Sequence, residues 1–361
     1  MKIYLVGGAV RDELLGREVK EKDYVVVGAT VAEMLKLKYI QVGKDFPVFL
    51  HPKTKEEYAL ARTERKVGLG YTGFTFDTST HVTLEDDLIR RDLTINAIAK
   101  DVDGTLVDPY HGKEDLERRL LRHVSPAFVE DPVRILRVAR FAARFSELKF
   151  TVADDTLELM RTMVKSGEVD ALVPERVWKE LARALGENHP ELFFKVLSDC
   201  DASFVLFKEI KMNGPGMTAL IKVATLTDDT QIRYAALLHD CSIDYIQALC
   251  ERYRVPTDYR DLAFVVAKHH ETYSKLEKLN AEQITDFLQA LDVYRRESRF
   301  EKFLIACRAI YPDINYSDFL KQCFIAAKSV DVSAFAAGLK GPAIAEQLRK
   351  QRISRIEKII K

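Results

Sequence analysis

Two adjacent glycines near the N-terminus, Gly7 and Gly8, restrict the folding of this chain more than any other feature. They follow an apolar stretch, Ile3–Val6, that predicts a β-strand, and they precede a short helical pattern, Val10–Leu15, that Gly16 ends. Because glycine carries no Cβ, the pair allows a sharp turn and lets backbone N–H groups approach an anion at the start of a helix. We therefore predict a strand, a turn and a helix, with the turn as a candidate phosphate site.

A pair of acidic residues, Glu21 and Asp23, lies shortly after this unit at the start of a second predicted strand, Tyr24–Val27. Side chains two residues apart on a strand share a face, so both carboxylates can bind one or two hard cations such as Mg²⁺. Arg11, one turn into the preceding helix, adds a bidentate donor for phosphate. A solvated charged turn explains the acid pair taken alone, but glycines, arginine and acids together favour a nucleoside triphosphate with its divalent metal.

The pattern of predicted elements changes along the chain and indicates an α+β fold. Residues 1–128 alternate short strands with a few helices, including a helix over Thr30–Leu37 and a hairpin formed by Phe46–Leu50 and Glu56–Thr63. From Asp131 onward the pattern is almost entirely helical. A chain of 361 residues exceeds one ordinary core, and we expect a head with a small mixed sheet followed by all-helical units.

One helix of the second part is especially well marked. Pro174–Leu185 has proline in its first turn, an apolar face that includes Val177 and Leu181, and a glycine directly after its end. We expect Trp178 to lie in a core. Breaks between helices are predicted at Met212–Gly216 and near Thr272–Asn280.

Composition excludes several classes of protein. No uncharged run is long enough to span a bilayer, and the N-terminus begins a strand rather than a signal peptide. The five cysteines show no metal-binding spacing and predict reduced thiols in a cytoplasmic protein. The formal net charge is zero, so a polyanion must be bound by local patches. The last helix offers such a patch of basic residues: Arg349, Lys350, Arg352, Arg355, Lys358 and Lys361.

The segment Gly68–Gly73 matches the pattern GxGxxG of dinucleotide-binding proteins. That pattern requires a buried strand before it and a helix after it. Charged residues precede this segment and Phe74–Asp77 follows it, so neither condition holds. We interpret it as a glycine-rich loop beside the active site.

A third group of polar residues, Arg91, Asp92 and Asn96, follows a short run of charges. Arg91 and Asn96 are suited to contacting ribose or phosphate, and Asp92 to accepting a hydrogen bond from a sugar hydroxyl. The alternative is a helix start at which Asp92 is the N-cap, and both interpretations can hold together.

The helix that starts near Asp131 carries a row of arginines. Asp131 followed by Pro132 predicts an N-cap and a first-turn proline. At 100° per residue one sector of the helix contains only arginines, and the opposite half is apolar. These arginines are Arg134, Arg137, Arg140 and Arg144. A solvated basic face is the alternative, although such faces usually contain acidic residues as well.

An acidic residue and an arginine at the start of this helix can select a nucleobase by its hydrogen-bonding edge. Cytosine and adenine both present an amino donor beside a ring-nitrogen acceptor, whereas uracil and guanine present a carbonyl beside an N–H. A carboxylate and a guanidinium therefore satisfy C and A but leave the other two bases with unpaired buried groups. Asp131 and Arg134 are the candidate pair.

In this order, these motifs resemble the class II tRNA nucleotidyltransferases of the polymerase-β superfamily, in particular the bacterial CCA-adding enzymes. The resemblance is dense over about residues 1–185, where Glu57–Lys66 and Pro174–Trp178 match in addition to the motifs above. It implies a nucleotidyltransferase head (1–128), a base-selecting neck (129–190), a body (191–275) and a tRNA-binding tail (276–361). It also implies that Mg²⁺ binds at the acid pair, and that the nucleotide binds at Gly8, Arg11, Arg91, Arg137 and Arg140.

The function implied is addition of C, C and A to the 3′ end of tRNA from CTP and ATP, with release of pyrophosphate and without a nucleic-acid template. The implied partners are tRNA and the two nucleotides, with neither a membrane nor a stable protein partner. Alternatives are a poly(A) or A-only nucleotidyltransferase and a tRNA-binding protein with a weakened metal site.

Two positions depart from the family pattern. The family has aspartate at both metal positions, whereas position 21 is Glu here, which affects geometry and rate. Many relatives also carry a phosphohydrolase site, of which His239 and Asp240 remain. No histidine lies between His189 and His239 to supply the upstream ligand, and His269 with His270 cannot replace it. Since metal sites need their full ligand set, we expect a remnant without hydrolase activity.

Overall fold

A seven-stranded mixed sheet organises the N-terminal part of the computed structural model, which describes residues 1–42, 48–66, 74–336 and 340–360. The loop predicted at Gly68–Gly73, the start of the predicted strand at Phe46 and the terminal Lys361 lie outside the described residues. The strands of the described chain are β1 Lys2–Val6, β2 Asp23–Val27, β3 Ile40–Gln41, β4 Val48–Leu50, β5 Glu57–Leu60, β6 Thr63–Lys66, β7 Phe74–Asp77, β8 Ala99–Lys100, β9 Leu106–Val107, β10 Leu120–Leu121 and β11 Thr151–Val152.

The sheet order is β3-β4-β5-β2-β1-β8-β9, with β2 and β5 parallel and the other neighbours antiparallel. The predicted strands near residues 3–6 and 24–27 pair with each other, and β4 with β5 forms the predicted hairpin. β6 and β7 form a separate antiparallel pair, and β10 and β11 a short parallel one.

Both faces of this sheet are covered by apolar side chains. Val25 packs with residues that include Leu84 and Leu88, while its neighbour Val26 packs with Met34 and Phe49 on the other face. The alternation follows from strand geometry, because successive side chains point to opposite faces. The β-branched run of β2 is therefore a central strand buried on both sides.

Helices make up most of the rest. They are α1 Gly8–Leu14, α2 Val31–Lys36, α3 Leu84–Ile89, α4 Gly112–Arg118, α5 Val133–Arg144, α6 Asp154–Lys165, α7 Pro174–Leu185, α8 Glu191–Asp199, α9 Ala202–Leu206, α10 Pro215–Ala224, α11 Thr230–Leu237, α12 Ile243–Arg252, α13 Thr257–Ser274, α14 Ala281–Ala290, α15 Glu297–Ile310, α16 Ser317–Lys328, α17 Ser333–Ala336 and α18 Gly341–Ile360. None of the helices formed by the described residues combines the length and apolarity needed to cross a membrane.

The chain divides into two compact units. The first contains residues 1–184 and 192–206, and the second contains residues 185–191 and 207–361. The first unit has the sheet and helices α1 to α9, apart from Leu185 at the end of α7 and Glu191 at the start of α8. The second unit is helical, with Tyr234, Tyr273 and Phe303 fully buried in its core. The α+β class is confirmed. The finer division into head, neck, body and tail stays a prediction.

Two local predictions have different outcomes. Helix α7 has the predicted bounds, and Val177 and Leu181 are buried on its apolar face. The expectation that Trp178 lies in a core is wrong, because its side chain is only partly buried. Residue 178 directly follows Val177 on the helix, and a step of 100° carries it off the buried stripe.

Candidate functional site

A cleft of about 700 Å³ lies in the first unit and is lined by an unusual number of arginines. The arginines that line it are Arg11, Arg62, Arg90, Arg91, Arg134, Arg137, Arg140, Arg144, Arg176 and Arg183. Its acidic residues are Asp12, Glu21, Asp23, Asp92 and Asp131. All predicted site residues, including Gly8 and Asn96, lie in this one cleft. Such a concentration of guanidinium groups suits a polyanionic ligand.

The glycine turn at the edge of the cleft requires its glycine. Gly7 has a φ of +67°, and a Cβ added to it would lie 2.8 Å from Nη1 of Arg91. Its backbone N–H donates to the carbonyl of Ile98 at 3.1 Å. A side chain at position 7 would therefore be strained and would displace an arginine of the site. The predicted strand, turn and helix are present, with Gly8 as the first residue of α1.

The acid pair lies beside this turn. Asp23 is the first residue of β2 and pairs across the ladder with Val6, the residue before Gly7. Glu21 lies in the exposed segment just before β2. Desolvation inside the cleft raises the pKa of the Asp23 carboxyl, the nearby Arg91 lowers it, and the charge of Glu21 raises it further. The two acids are thus electrostatically coupled, as the spacing predicts.

The other acids of the cleft are neutralised by arginines. Asp12 pairs with Arg11 at 2.8 Å and with Arg144 at 3.3 Å. Asp92 and Asp131 each bind an arginine at 2.7 Å, Arg137 and Arg176 respectively.

By contrast, the side chains of Glu21 and Asp23 form no hydrogen bond or ion pair with any residue that the structure describes. Two neighbouring carboxylates that form no ion pair within the described chain are a suitable donor set for a hard divalent cation. No group of three or more His, Cys, Asp or Glu side chains is arranged to hold a metal ion within the described ranges. The remaining ligands of such a cation would have to be water and substrate phosphates.

A hydrogen-bonded chain connects the start of the polypeptide to α5. Nη1 of Arg11 donates to Oδ1 of Asn96 at 2.5 Å, and Nδ2 of Asn96 donates to Oδ1 of Asp92 at 3.0 Å. Nε of Arg137 donates to Oδ2 of Asp92 at 2.7 Å. Burial alone would raise the pKa of the Asp92 carboxyl, but Arg137 and the Asn96 hydrogen bond hold it well below its usual value.

The alternative role considered for Asp92, N-cap of a helix, is not what the structure has. Residues Thr94–Asn96 form a single 3₁₀ turn that starts after Leu93 and has no side-chain cap. Asp92 accepts instead from the backbone N–H of Leu93 at 2.9 Å. Its carboxylate is therefore engaged on both oxygens, and a contact with ribose would have to share them.

The arginine row on α5 forms one wall of the cleft. Arg134 and Arg140 are 8% and 5% exposed, so a solvated basic face is wrong for them. Arg134 donates to the carbonyl oxygens of Ala127 at 2.9 Å and Arg90 at 2.6 Å. The helix begins at Val133, with Pro132 at its N-cap position and no side-chain cap, so the predicted start is one residue too early. Asp131 accepts from the backbone N–H of Val133 at 3.2 Å.

Several residues of the site were not predicted from the sequence. Asp87 is fully buried and binds Arg90 at 2.6 Å and Arg91 at 3.1 Å. In α7, Arg176 binds Asp131, just before α5, and Glu180 binds Arg140 of α5. The available signal was their spacing of four residues, which places them on one helix face beside the apolar one.

The remnant of the phosphohydrolase motif lies in the second unit. Nδ1 of His239 lies 2.8 Å from the carbonyl oxygen of Ala236, and its ring packs edge-on against His270 at 5.0 Å. Nδ1 of His270 lies 2.8 Å from the hydroxyl of Tyr311. Both histidines therefore have protein partners, and they belong to no metal-holding group among the described residues.

Comparisons with known proteins match this chain in sequence and in fold. The family described as "Poly A polymerase head domain" matches residues 3–122, and "Probable RNA and SrmB- binding site of polymerase A" matches residues 149–213. A CCA-adding enzyme of Coxiella burnetii is 52% identical over 362 residues, which cover 100% of this chain and 96% of the relative. A "Multifunctional CCA protein" of Thioalkalivibrio sulfidiphilus is 50% identical over 403 residues, covering 99% and 98%.

A solved structure has the same fold. The Thermotoga maritima CCA-adding enzyme, complexed with tRNA_CCA, matches with a TM-score of 0.72 and 21% sequence identity. The match covers 99% of this chain and 87% of that one. At this identity the likeness concerns the fold, whereas the two curated relatives match in sequence over nearly the whole chain.

Proposed function

Because this chain belongs to the family of CCA-adding enzymes, we propose that it adds C, C and A to the 3′ end of tRNA from CTP and ATP, releasing pyrophosphate. One observation carries the proposal. Glu21 and Asp23 are the cleft acids without a hydrogen-bond or ion-pair partner among the described residues, and they lie beside the glycine turn in a cleft lined by arginines. We place the reaction in the cytoplasm.

The arginines and the turn would bind the triphosphate. Gly8 and Arg11 lie at the start of α1, and Arg91 reaches the same edge of the cleft. Arg137 and Arg140 face them from α5. Their guanidinium groups are already oriented by carboxylates, so binding costs little side-chain reorganisation and the phosphates are held in place for displacement.

Glu21 and Asp23 would hold Mg²⁺. The donor set fits, because Mg²⁺ takes a few carboxylates together with water and substrate phosphates. When bound, the cation polarises the α-phosphate and favours the deprotonated 3′-hydroxyl of the tRNA. The two carboxylates would hold this charge, and the glutamate at position 21 would reach it with one methylene more than aspartate.

Asp131 and Arg134 would choose the base. Asp131 accepts a hydrogen bond from the amino group of cytosine or adenine, and Arg134 donates to the adjacent ring nitrogen. Uracil and guanine would meet both groups with the wrong polarity and leave buried groups unpaired. The cost of that mismatch is the source of selectivity without a template strand.

The helical units would bind tRNA through shape and backbone charge, since the deep groove of an RNA duplex gives little access to bases. We keep the division into a head (1–128), neck (129–190), body (191–275) and tail (276–361) as part of this proposal. Arg355 and Lys358 are exposed on α18 and suit phosphate contacts. Arg349 suits them less, because it binds Asp286 and Glu282.

The decisive experiment uses tRNA that lacks its last three nucleotides. With CTP, ATP and magnesium we expect extension by three nucleotides, and with CTP alone by two. Failure to extend a tRNA that still binds would overturn the enzymatic proposal and favour a binding protein. Extension by ATP only, without incorporation of C, would favour a poly(A) or A-only enzyme.

We do not extend the proposal to phosphohydrolysis. The alignment with the multifunctional relative is 403 residues long, whereas this chain has 361, so that relative carries residues that this chain lacks. The alignment with the Coxiella burnetii CCA-adding enzyme needs no such insertion. His239 and Asp240 thus remain without the rest of a ligand set.

A further inference from the structure

Helix α7 presents two charged residues of opposite sign, one turn apart, to Asp131 and to the arginine row of α5. Nη1 and Nη2 of Arg176 donate to Oδ1 and Oδ2 of Asp131 at 3.0 and 2.7 Å. Glu180, four residues later, is 5% exposed and accepts from Nε of Arg140 at 2.5 Å. Residues four apart lie on one helix face, so α7 makes two separate contacts, one with Asp131 just before α5 and one with the arginine row.

The first contact fixes the orientation of the Asp131 carboxylate. Oδ1 accepts from Arg176 and also from the backbone N–H of Val133 at 3.2 Å. Oδ2 accepts from Arg176. A carboxylate oxygen has two lone pairs, so both of those on Oδ1 are used and one remains on Oδ2. The planar guanidinium of Arg176 and the backbone N–H of Val133 together fix the carboxylate of Asp131, so that a single acceptor position on Oδ2 stays available.

The second contact fixes two arginines rather than an acid. Glu180 binds Arg140 and lies 4.0 Å from Nη1 of Arg137. Arg137 is held from its other side by Asp92 at 2.7 Å. Coulombic attraction from Asp92 and Glu180, together with the hydrogen bond to Asp92, raises the pKa of Arg137 although burial opposes the rise. Glu180 thus keeps two guanidinium groups in place at the cleft wall.

From these contacts we propose that α7 positions the nucleotide-binding residues through Arg176 and Glu180, which have different effects. Arg176 is a specificity-determining positioning residue, because it directs Oδ2 of Asp131 toward the amino group of cytosine or adenine. Glu180 is a positioning residue for Arg137 and Arg140, which bind parts that all nucleotides share. The inference rests on the proposed function.

The test compares Arg176→Lys with Glu180→Gln in single-nucleotide addition assays with CTP, ATP, UTP and GTP. Lysine keeps the charge of Arg176 but not its two-point fork. We expect Arg176→Lys to lower kcat/KM for CTP and ATP about tenfold with little change for UTP and GTP. Glu180→Gln should raise KM for all four nucleotides by a similar factor and leave the selectivity unchanged. The KM for tRNA should stay at the wild-type value in both.

The matched control is Arg161→Lys on α6. Arg161 donates to the carbonyl of Asp199 and to Glu158, and it does not line the cleft. Its kinetics should equal those of the wild type with every nucleotide.

Each outcome decides the question. If both variants reduce turnover of all four nucleotides in parallel, α7 has only a structural role and the inference is wrong. If either variant melts below the assay temperature, Arg176→Gln and Glu180→Asp replace them. Arg176→Gln must then lower the selectivity for CTP and ATP, and Glu180→Asp must raise KM for all four nucleotides. If these variants also unfold, the inference is wrong. If the wild type does not extend tRNA, the proposed function fails first. If the wild type discriminates between the four nucleotides and Arg176→Lys discriminates equally well, the inference is wrong and the proposed function stands.

Discussion

Asp23 lies directly opposite Val6 in the antiparallel ladder of β1 and β2, and Val6 is the residue before the turn at Gly7. This register decides where the acid pair lies, because a shift of one residue would move Asp23 to the other face of the sheet. The residues that would bind a metal and those that would bind a triphosphate therefore meet at one edge through the pairing of two short strands.

The first prediction concerns this acid pair. Asp23→Asn should lower kcat for CTP addition by at least about 100-fold, because one of two carboxylates that would hold the metal is lost. Its melting temperature should change little, since the side chain is exposed and has no ion-pair partner within the described chain. Steady-state kinetics and a thermal melt check both parts. Glu21→Asp serves as the control that keeps the charge, and an Asp23→Asn variant with full activity would contradict the metal assignment.

The second prediction concerns Asp87, which is fully buried between Arg90 and Arg91. Asp87→Asn should lower the free energy of unfolding by about 3 kcal/mol, because it leaves two arginines without their buried partner. Burial alone would raise the pKa of Asp87, but the two arginines hold it below its usual value.

Because the folded pKa is depressed, the stabilisation by Asp87 is complete above about pH 4 and is lost as the pH falls through the folded pKa. The difference between wild type and Asp87→Asn should therefore be constant from pH 7 to 5 and shrink below pH 4. Urea titrations at several pH values measure it. The exposed Glu85→Gln is the control and should show a much smaller effect at neutral pH. A difference that grows toward acid would refute the ion-pair argument.

The third prediction concerns Arg233 in the helical unit, whose side chain is fully buried. Its guanidinium donates to the carbonyl oxygens of Leu185, Glu187, Ala224 and Thr227 and to Asp228. Lysine cannot reach all of these acceptors, so Arg233→Lys should destabilise the protein by about 3 kcal/mol. Chemical denaturation followed by circular dichroism tests this. Arg295→Lys, at a side chain 81% exposed, should be nearly neutral.

The fourth prediction is a titration. Burial, and then the neighbouring His239, lower the pKa of His270 to about 4. Its ring signals in an NMR titration should thus not move between pH 8 and pH 5. Since the folded pKa lies below that of an unfolded histidine near 6.5, the stability contribution is complete above pH 6.5 and declines as the pH falls toward 4. His270→Gln should remove that decline, and a midpoint above pH 6 would show that the ring is solvated or has an acidic partner.

The fifth prediction separates exposed from paired cations on α18. The double variant Arg355→Glu and Lys358→Glu should raise the KM for tRNA and reduce its log–log dependence on salt by about 1 per lost phosphate contact. The KM for CTP should not change. Arg349→Gln removes a cation that binds Asp286 and Glu282, so it should alter stability more than tRNA binding. Equal effects of the two variants on the salt dependence would argue against a tRNA contact by α18.

The sequence by itself was sufficient for the local elements that carry the chemistry. The turn at Gly7, the acid pair at the start of β2 and the arginine row on α5 each follow from residues within one turn or strand, because glycine geometry and side-chain periodicity act over a few residues. The fold class followed from the change near Asp131 from short predicted strands with a few helices to an almost entirely helical pattern. The family resemblance added the reaction, which periodicity alone does not specify.

Only the tertiary structure decided which charge meets which. Arg11 binds Asn96 across 85 residues, and Asp131 binds Arg176 of α7 rather than an arginine of the adjacent α5. A helical period assigns a side chain to a face but does not say what covers that face, and burial then determines which ion pairs form. For the same reason, the sequence does not distinguish Glu21 and Asp23 from the acids of an ordinary surface turn. The structure distinguishes them, because every other acid of the cleft forms an ion pair with an arginine.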